Sequence, residues 1–255
     1  MLAILSPAKS LDYESQLTTR KISEPAFVAD SIELIEQLRH YQPDELASLM
    51  RISDKLADLN HQRYLNWSPN FGADHARPAV LAFKGDVYIG LDAASMSERD
   101  FTWAQKHLRI LSGLHGLLRP LDGIQPNRLE MGTALPNPRG KNLYAFWGNK
   151  VTEALNQAIA EQQQKVLINL ASNEYFDVLD TQSIDARVIN IHFKQYKNGE
   201  YKFLSFFAKK ARGLMARYLV DQRVSTLKAL KAFDYEGYAF NDALSTDNDW
   251  VFLRD

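Results

Sequence analysis

The chain has 255 residues, of which 45% are hydrophobic and 24% charged, with a formal net charge of −1 and no cysteine. Length allows one large domain or two small ones, and the composition is that of a soluble globular protein. Without cysteine there is no disulfide, no thiolate metal site, no iron–sulfur ligation and no thiol nucleophile. No apolar run approaches the roughly 20 residues of a membrane span. The first fifteen residues lack the basic start and long apolar run of a secretory signal. A cytoplasmic protein with no membrane partner is expected.

In chain order, Leu2–Leu5 reads as a short buried strand running into the loop Ser6-Pro7-Ala8-Lys9-Ser10. Ser6 and Lys9 have the S-x-x-K spacing of some acyl-transfer enzymes. There the pair sits on a helix, and Pro7 directly after a strand argues against it. Residues 25–66 read as three helices. The first has an apolar face of Ile32, Leu34, Ile35 and Leu38. The second opens at Pro43-Asp44-Glu45. The third is capped by Ser53 and carries Leu56, Leu59, Tyr64 and Leu65. Ala79–Phe83 and Val87–Leu91 read as two strands around Lys84-Gly85-Asp86. A helix follows Ser97, and Leu108–Leu111 is the next strand.

Leu108–Thr133 is the most unusual stretch, with Gly113, Gly116, Gly123 and Gly132 interleaved with Pro120 and Pro126. Such density predicts a bent, rigid segment rather than a long helix. It fixes Arg119, Asp122, Arg128 and Glu130 among apolar residues. The turn Gly113–Gly116, flanked by Leu111, Leu114 and Leu117, has features of a helix-hairpin-helix, whose glycine turn offers N–H groups to a phosphate. Its glycines stand three apart rather than two, and Pro120 shortens any helix that follows.

Further on, Asn142–Gly148 leads into an amphipathic helix, and Val166–Leu170 is a continuous apolar strand. It ends in Ala171-Ser172-Asn173-Glu174, either a helix cap or a site at a strand end. Arg187–Phe193 and Tyr201–Phe207 read as strands joined by a turn at Asn198-Gly199. Ala208–Val220 is an amphipathic helix, and Trp250–Phe252 an edge strand. Between Arg187 and Lys231 stand eleven Lys and Arg against two acids, Glu200 and Asp221, a local +9 in a chain of net −1. This is the footprint of a polyanion-binding face, unless the bases pair with the acidic remainder. No P-loop, dinucleotide fingerprint, H-E-x-x-H or EF-hand is present. The six histidines show no ligand spacing, so neither metal nor cofactor is expected.

Taken together, SPAKS, AFKGDVYIGLDA (82–93), LSGLHGLLRPLDGIQPNRLEMGT (111–133), NLYAFWG (142–148), NLASNEYF (169–176), KKARGLMARYLV (209–220) and FDYEGYAF (233–240) resemble the bacterial peroxide-stress protein family YaaA from end to end. Asn127 departs from it, standing where an aromatic is expected. The resemblance implies a peroxide-induced protein that lowers free iron and limits Fenton damage to DNA. It further implies an unusual α/β fold with a helix-hairpin-helix-like element and a positively charged cleft that binds DNA.

The expected fold is therefore mixed α/β, a single domain over 1–255 with a central mixed sheet and surrounding helices. The expected partner is DNA, bound without sequence preference through Gly113, Gly116, Arg119, Lys194, Lys209, Lys210, Arg212 and Arg217. The rival is an enzyme acting on a nucleotide, nucleobase or damaged DNA, with Lys9, Arg128, Glu130 and Glu174 as catalytic candidates. The two readings part on whether those four, with Ser6, Arg119, Asp122 and Asn173, share one pocket. The sequence leaves the oligomeric state open.

Overall fold

Eight strands make one mixed sheet in the computed structural model, which describes all 255 residues. In chain order they are β1 (Leu2–Leu5), β2 (Leu108–Ser112), β3 (Gly116–Leu118), β4 (Val166–Leu170), β5 (Arg187–Lys197), β6 (Glu200–Lys202), β7 (Ala239–Asn241) and β8 (Asp249–Arg254). Their order across the sheet is β7-β8-β5-β4-β1-β2-β3, with β6 added to the far end of β5. The five central strands, β8, β5, β4, β1 and β2, are parallel; β3, β6 and β7 pair antiparallel.

The central strands are apolar on both faces because both are covered, the usual condition of a parallel sheet. All of β1 is buried. Leu2 and Ile4 join a core beneath α1 (Val28–Arg39), α2 (Pro43–Met50) and α3 (Asp54–Asn66). Ala3 and Leu5 join the opposite core, beneath α4 (Asp86–Leu91), α5 (Glu98–His107) and α7 (Ser205–Asp221). Helix α6 (Lys150–Ala160) lies on the first side through Val151, Leu155 and Ile159.

The mixed α/β class and central sheet are as expected, and several local expectations are corrected. Ala79–Ala82 and Asp86–Leu91 are helical, leaving only Phe83–Lys84 as a strand, paired with Ser10–Leu11. The cause is long-range: α4 crosses α7 so closely that a Cβ on Gly90 would stand 2.1 Å from the Lys210 carbonyl oxygen, and one on Gly213 1.8 Å from that of Val87. On α3 the buried residues are Ala57, Asn60 and Tyr64, while Leu56, Leu59 and Leu65 are exposed. Beyond β6 the chain turns helical at Ser205 rather than extending to Phe207. Strand β8 is interior, held between β5 and β7, not at an edge.

The helix-hairpin-helix expectation also fails at Gly113–Gly116. This turn joins two strands, with Ser112 opposite Gly116, and every residue from Leu111 to Leu118 is buried. The Trp147 indole N–H donates to the Gly113 carbonyl at 2.9 Å. The Gly113 Cα faces the Leu129 carbonyl with no room for a side chain. Neither Gly113 nor Gly116 presents its amide to a phosphate outside.

Candidate functional site

Because β1 and β4 are parallel neighbours, with Leu5 opposite Leu170, the segments that follow them emerge side by side. Chain order reverses between these strands, one winding toward β2 and the other toward β5. Ligands of open α/β sheets bind at such a switch, beyond the carboxyl ends of the strands. Here Ser6 and Ser172 meet. The Ser172 amide donates to Ser6 Oγ at 2.8 Å, and Ser6 Oγ donates to Ser172 Oγ at 3.2 Å. Ser172 precedes a short helix, Asn173–Phe176, but makes no side-chain cap. The buried Tyr88 hydroxyl donates to the Ser6 carbonyl at 3.1 Å.

Above this pair opens a cavity of about 420 Å³. Its walls come from Lys9 and Ser10, from Lys84–Val87, from Glu174 and Tyr175, and from Lys209 and Arg212 on α7. Lys9 reaches across to Glu130, 2.9 Å away, and the same carboxylate oxygen accepts from Arg128 at 2.8 Å. Glu174 Oε1 accepts the Gly132 amide at 3.1 Å, which ties the post-β4 segment to the Arg128–Gly132 turn. Burial, then the charges of Glu174 and Glu130, raise the Tyr175 pKa, so its phenol stays protonated.

Lys9 and Glu174 thus line the cavity with Ser6, while Arg128 and Glu130 stand behind them, Glu130 bonded to Lys9 and neither one part of the cavity wall. Arg119 and Asp122 are not with them. They pair with each other at 2.9 Å, Asp122 accepts from Ser23, and Arg119 donates to the Glu24 carbonyl. Asn127 donates to the Gln125 carbonyl at 2.8 Å.

The basic stretch divides in the same way. Lys210 pairs with Glu236, Arg217 with Asp221, Arg223 with Asp100 and Lys202 with Glu200. Arg217 also donates to the Asp92 carbonyl and the Ser95 hydroxyl. Glu200 and Asp221 are already counted in the +9, so the acidic remainder takes up only part of it, through Glu236, Asp100 and, with Lys231, Asp242. Lys194, Lys209 and Arg212 have neither an ion pair nor a side-chain hydrogen bond. Lys194 is on the sheet, apart from the cavity, whereas Lys209 and Arg212 face into it. Burial without a counter-charge lowers the Arg212 pKa, although the guanidinium remains charged. Lys84 and Tyr88 also belong to this site, though neither stood out in the sequence. Their only local signal was the polar Lys84-Gly85-Asp86 between two apolar runs.

The cavity gathers Lys9, Lys84, Lys209 and Arg212 against Asp86 and Glu174, so it is net positive and lined with hydroxyls. Such a site suits a phosphate or carboxylate. A family profile described as peroxide stress protein YaaA matches residues 1–244. The chain belongs to the YaaA peroxide-stress family. A UPF0246 protein of Tolumonas auensis is 59% identical over 254 residues, covering 100% of this chain and 98% of its own length. Outside the cavity, this YaaA-family fold has no helix long and apolar enough to cross a membrane.

Proposed function

We propose that this peroxide-stress family member binds DNA, without sequence preference, through the cations at the carboxyl end of its sheet. The supporting observation is Arg212, partly buried at the cavity wall with no carboxylate and no hydrogen-bond acceptor of its own. A guanidinium at a cavity wall with no acceptor of its own is free to take a phosphate by charge-assisted hydrogen bonds. Lys209, one turn earlier, and Lys9 and Lys84 across the cavity extend the attraction along a strand of phosphates. The cavity offers cations rather than ligands for ferrous iron, so the lowering of free iron is proposed to be indirect.

Charge reversal of Lys209 and Arg212 together tests this. Duplex affinity should fall, and the plot of log K against log salt should become shallower by about 2, at roughly 0.9 per phosphate contact. Unchanged affinity and slope would sink the proposal.

A second reading is carried by the gathering of Lys9, Arg128 and Glu130 at 2.8–2.9 Å, with Lys9 lining the cavity that holds Ser6 and Ser172. A grip on DNA needs no carboxylate there. In this reading the protein acts on a nucleotide, nucleobase or damaged base, with Glu130 or Glu174 as general acid–base. Wild-type turnover of oligonucleotides carrying oxidised bases, or of free nucleotides, should then be lost in Glu130→Gln while binding persists. Absence of any product from either set of substrates would remove the reading.

A further inference from the structure

An exposed aromatic face stands on the hairpin of β5 and β6, away from the cavity. Tyr196 and Tyr201 are direct cross-strand partners, their rings 5.3 Å apart at 65°. The period of two along β5 puts Lys194 on the same face as Tyr196, and Phe203 follows two residues after Tyr201, just past the end of β6. The other face of β5 carries Ile189, Ile191 and Phe193, buried against α7. Nothing covers the first: Tyr196 is 49% exposed, Tyr201 37% and Phe203 61%. The hairpin is held by Asn198 and Gly199, both at positive φ (54° and 87°), the geometry of a tight two-residue turn.

Three rings left in water on a rigid ribbon are a binding surface rather than a fragment of core. The surrounding charge says what binds. Lys194 on this face carries no ion pair, nor does Lys197 at the end of β5. The acids nearby are Glu200, which pairs with Lys202, and Asp255, which accepts the Tyr201 hydroxyl at 2.6 Å. Flat rings interleaved with free ammonium groups complement bases and phosphates together. In a duplex the base faces are buried in their own stack, so these rings can be used only by unpaired bases.

We infer that the Tyr196–Tyr201 face, with Phe203 at its margin, is a stacking platform for single-stranded DNA, with Lys194 taking its phosphates. This rests on the DNA-binding reading and adds to it a preference for unpaired bases.

The test uses the full chain and two fluorescent probes of about 20 nucleotides, longer than one stacking site. These are an oligodeoxythymidylate and a blunt duplex. The three residues are exposed, so Tyr196→Ala, Tyr201→Ala and Phe203→Ala combined should fold as wild type does, checked by the unfolding midpoint. This variant should lose about 10-fold or more in affinity for the single strand and less than about 2-fold for the duplex. Phe203→Leu, which keeps apolar area but not the ring, should lose part of the single-strand affinity. Reversal of Lys209 and Arg212 should weaken both probes. If the alanine variant keeps its single-strand affinity, or loses both probes equally, the platform is overturned and the cavity reading stands on the charge variant alone. If wild type binds neither probe, both readings fall. If sedimentation shows a wild-type dimer that the alanine variant dissolves, with single-strand affinity unchanged, the face is an interface between copies and the inference is wrong.

Discussion

The Lys9 ammonium stands 2.9 Å from a Glu130 oxygen that also accepts Arg128 at 2.8 Å, so one carboxylate joins the loop after β1 to the glycine-rich turn before Gly132. The three members are unequal. The Lys9 side chain is 66% exposed, while those of Glu130 and Arg128 are 14% and 15% exposed. Arg128 Nε is buried with no partner, so Glu130 supplies most of what compensates that guanidinium. Glu130→Gln leaves Arg128 as an enclosed charge. It should cost about 3 kcal/mol, the low end for breaking a buried pair, because Lys9 simply rehydrates. Urea unfolding measures this, and a change under about 0.5 kcal/mol would mean that solvent already screens the site.

Arg217 and Arg212 lie on the same helix and are expected to behave oppositely. Arg217 is held by Asp221, the Asp92 carbonyl and the Ser95 hydroxyl. Arg217→Ala should destabilise the fold by about 1–2 kcal/mol, the cost of its lost charge-assisted bonds, and leave duplex affinity within about 2-fold. Arg212→Ala should do the reverse: little change in stability, and a weaker, less salt-dependent grip on DNA. Matched unfolding and anisotropy titrations on the two variants separate the roles. Equal loss of affinity in both would show that the whole helix face, paired or not, meets the polyanion.

What was legible in the sequence follows range of interaction. Leu2–Leu5 and Val166–Leu170 read correctly because a strand buried on both faces needs a continuous apolar run. Asn198-Gly199 read as a hairpin because its backbone demands those residues. Val87–Leu91 misread as a strand because a short apolar run has no period to settle it; Gly90 meeting Gly213 settles it from 123 positions away in the chain. The α3 face misread for a related reason. Arg39 donates to the carbonyls of Tyr64, Leu65 and Trp67, and the Tyr64 hydroxyl reaches the Arg128 carbonyl, so polar bonds set the rotation of the helix against its leucines. In the site, Ser6, Lys9 and Glu174 were visible as polar residues directly after buried strands. That Lys9 would find Glu130, or that Arg212 would lack any partner, is a property of the assembled surface only.

The glycines of the buried turn should answer to stability alone. A Cβ on Gly113 would stand 2.2 Å from the Leu129 carbonyl oxygen, and one on Gly116, at φ +64°, 2.8 Å from the Trp147 ring. Gly113→Ala meets backbone that cannot yield. It should cost more than Gly116→Ala, whose strain adds a ring contact to an unfavourable φ. Losses of about 2 kcal/mol or more are expected for both, from overpacking and from positive φ. Binding assayed where each variant remains folded should match wild type. A selective loss of DNA affinity with normal stability would return the turn to the DNA surface.

His115 gives the fold a pH dependence of known sign. Its ring is fully enclosed: Nδ1 meets Ser31 Oγ at 2.9 Å, Nε2 has no partner, and Phe71 packs edge-on. Burial drives its pKa down to about 3. In the unfolded chain it returns to about 6.5. Above that value both states are neutral and the histidine contributes nothing. As pH falls below it, the unfolded state takes up a proton that the folded state refuses. Stability is then lost at up to about 1.4 kcal/mol per pH unit until the folded pKa is reached. Burial also lowers His107, which adds to the loss in the same window. Asp30, held below its ordinary value by Lys150 and Arg139 against the effect of its own burial, loses stability only at more acid pH. Unfolding free energy measured at pH 7 and pH 5 should therefore drop in wild type and drop less in His115→Leu, which keeps the His107 share. Ser31 still has the Phe27 and Leu114 carbonyls to accept its proton, so that variant leaves no new orphan. An identical drop in the two proteins would mean that His115 is protonated inside the fold, with Nε2 bonded to an acceptor.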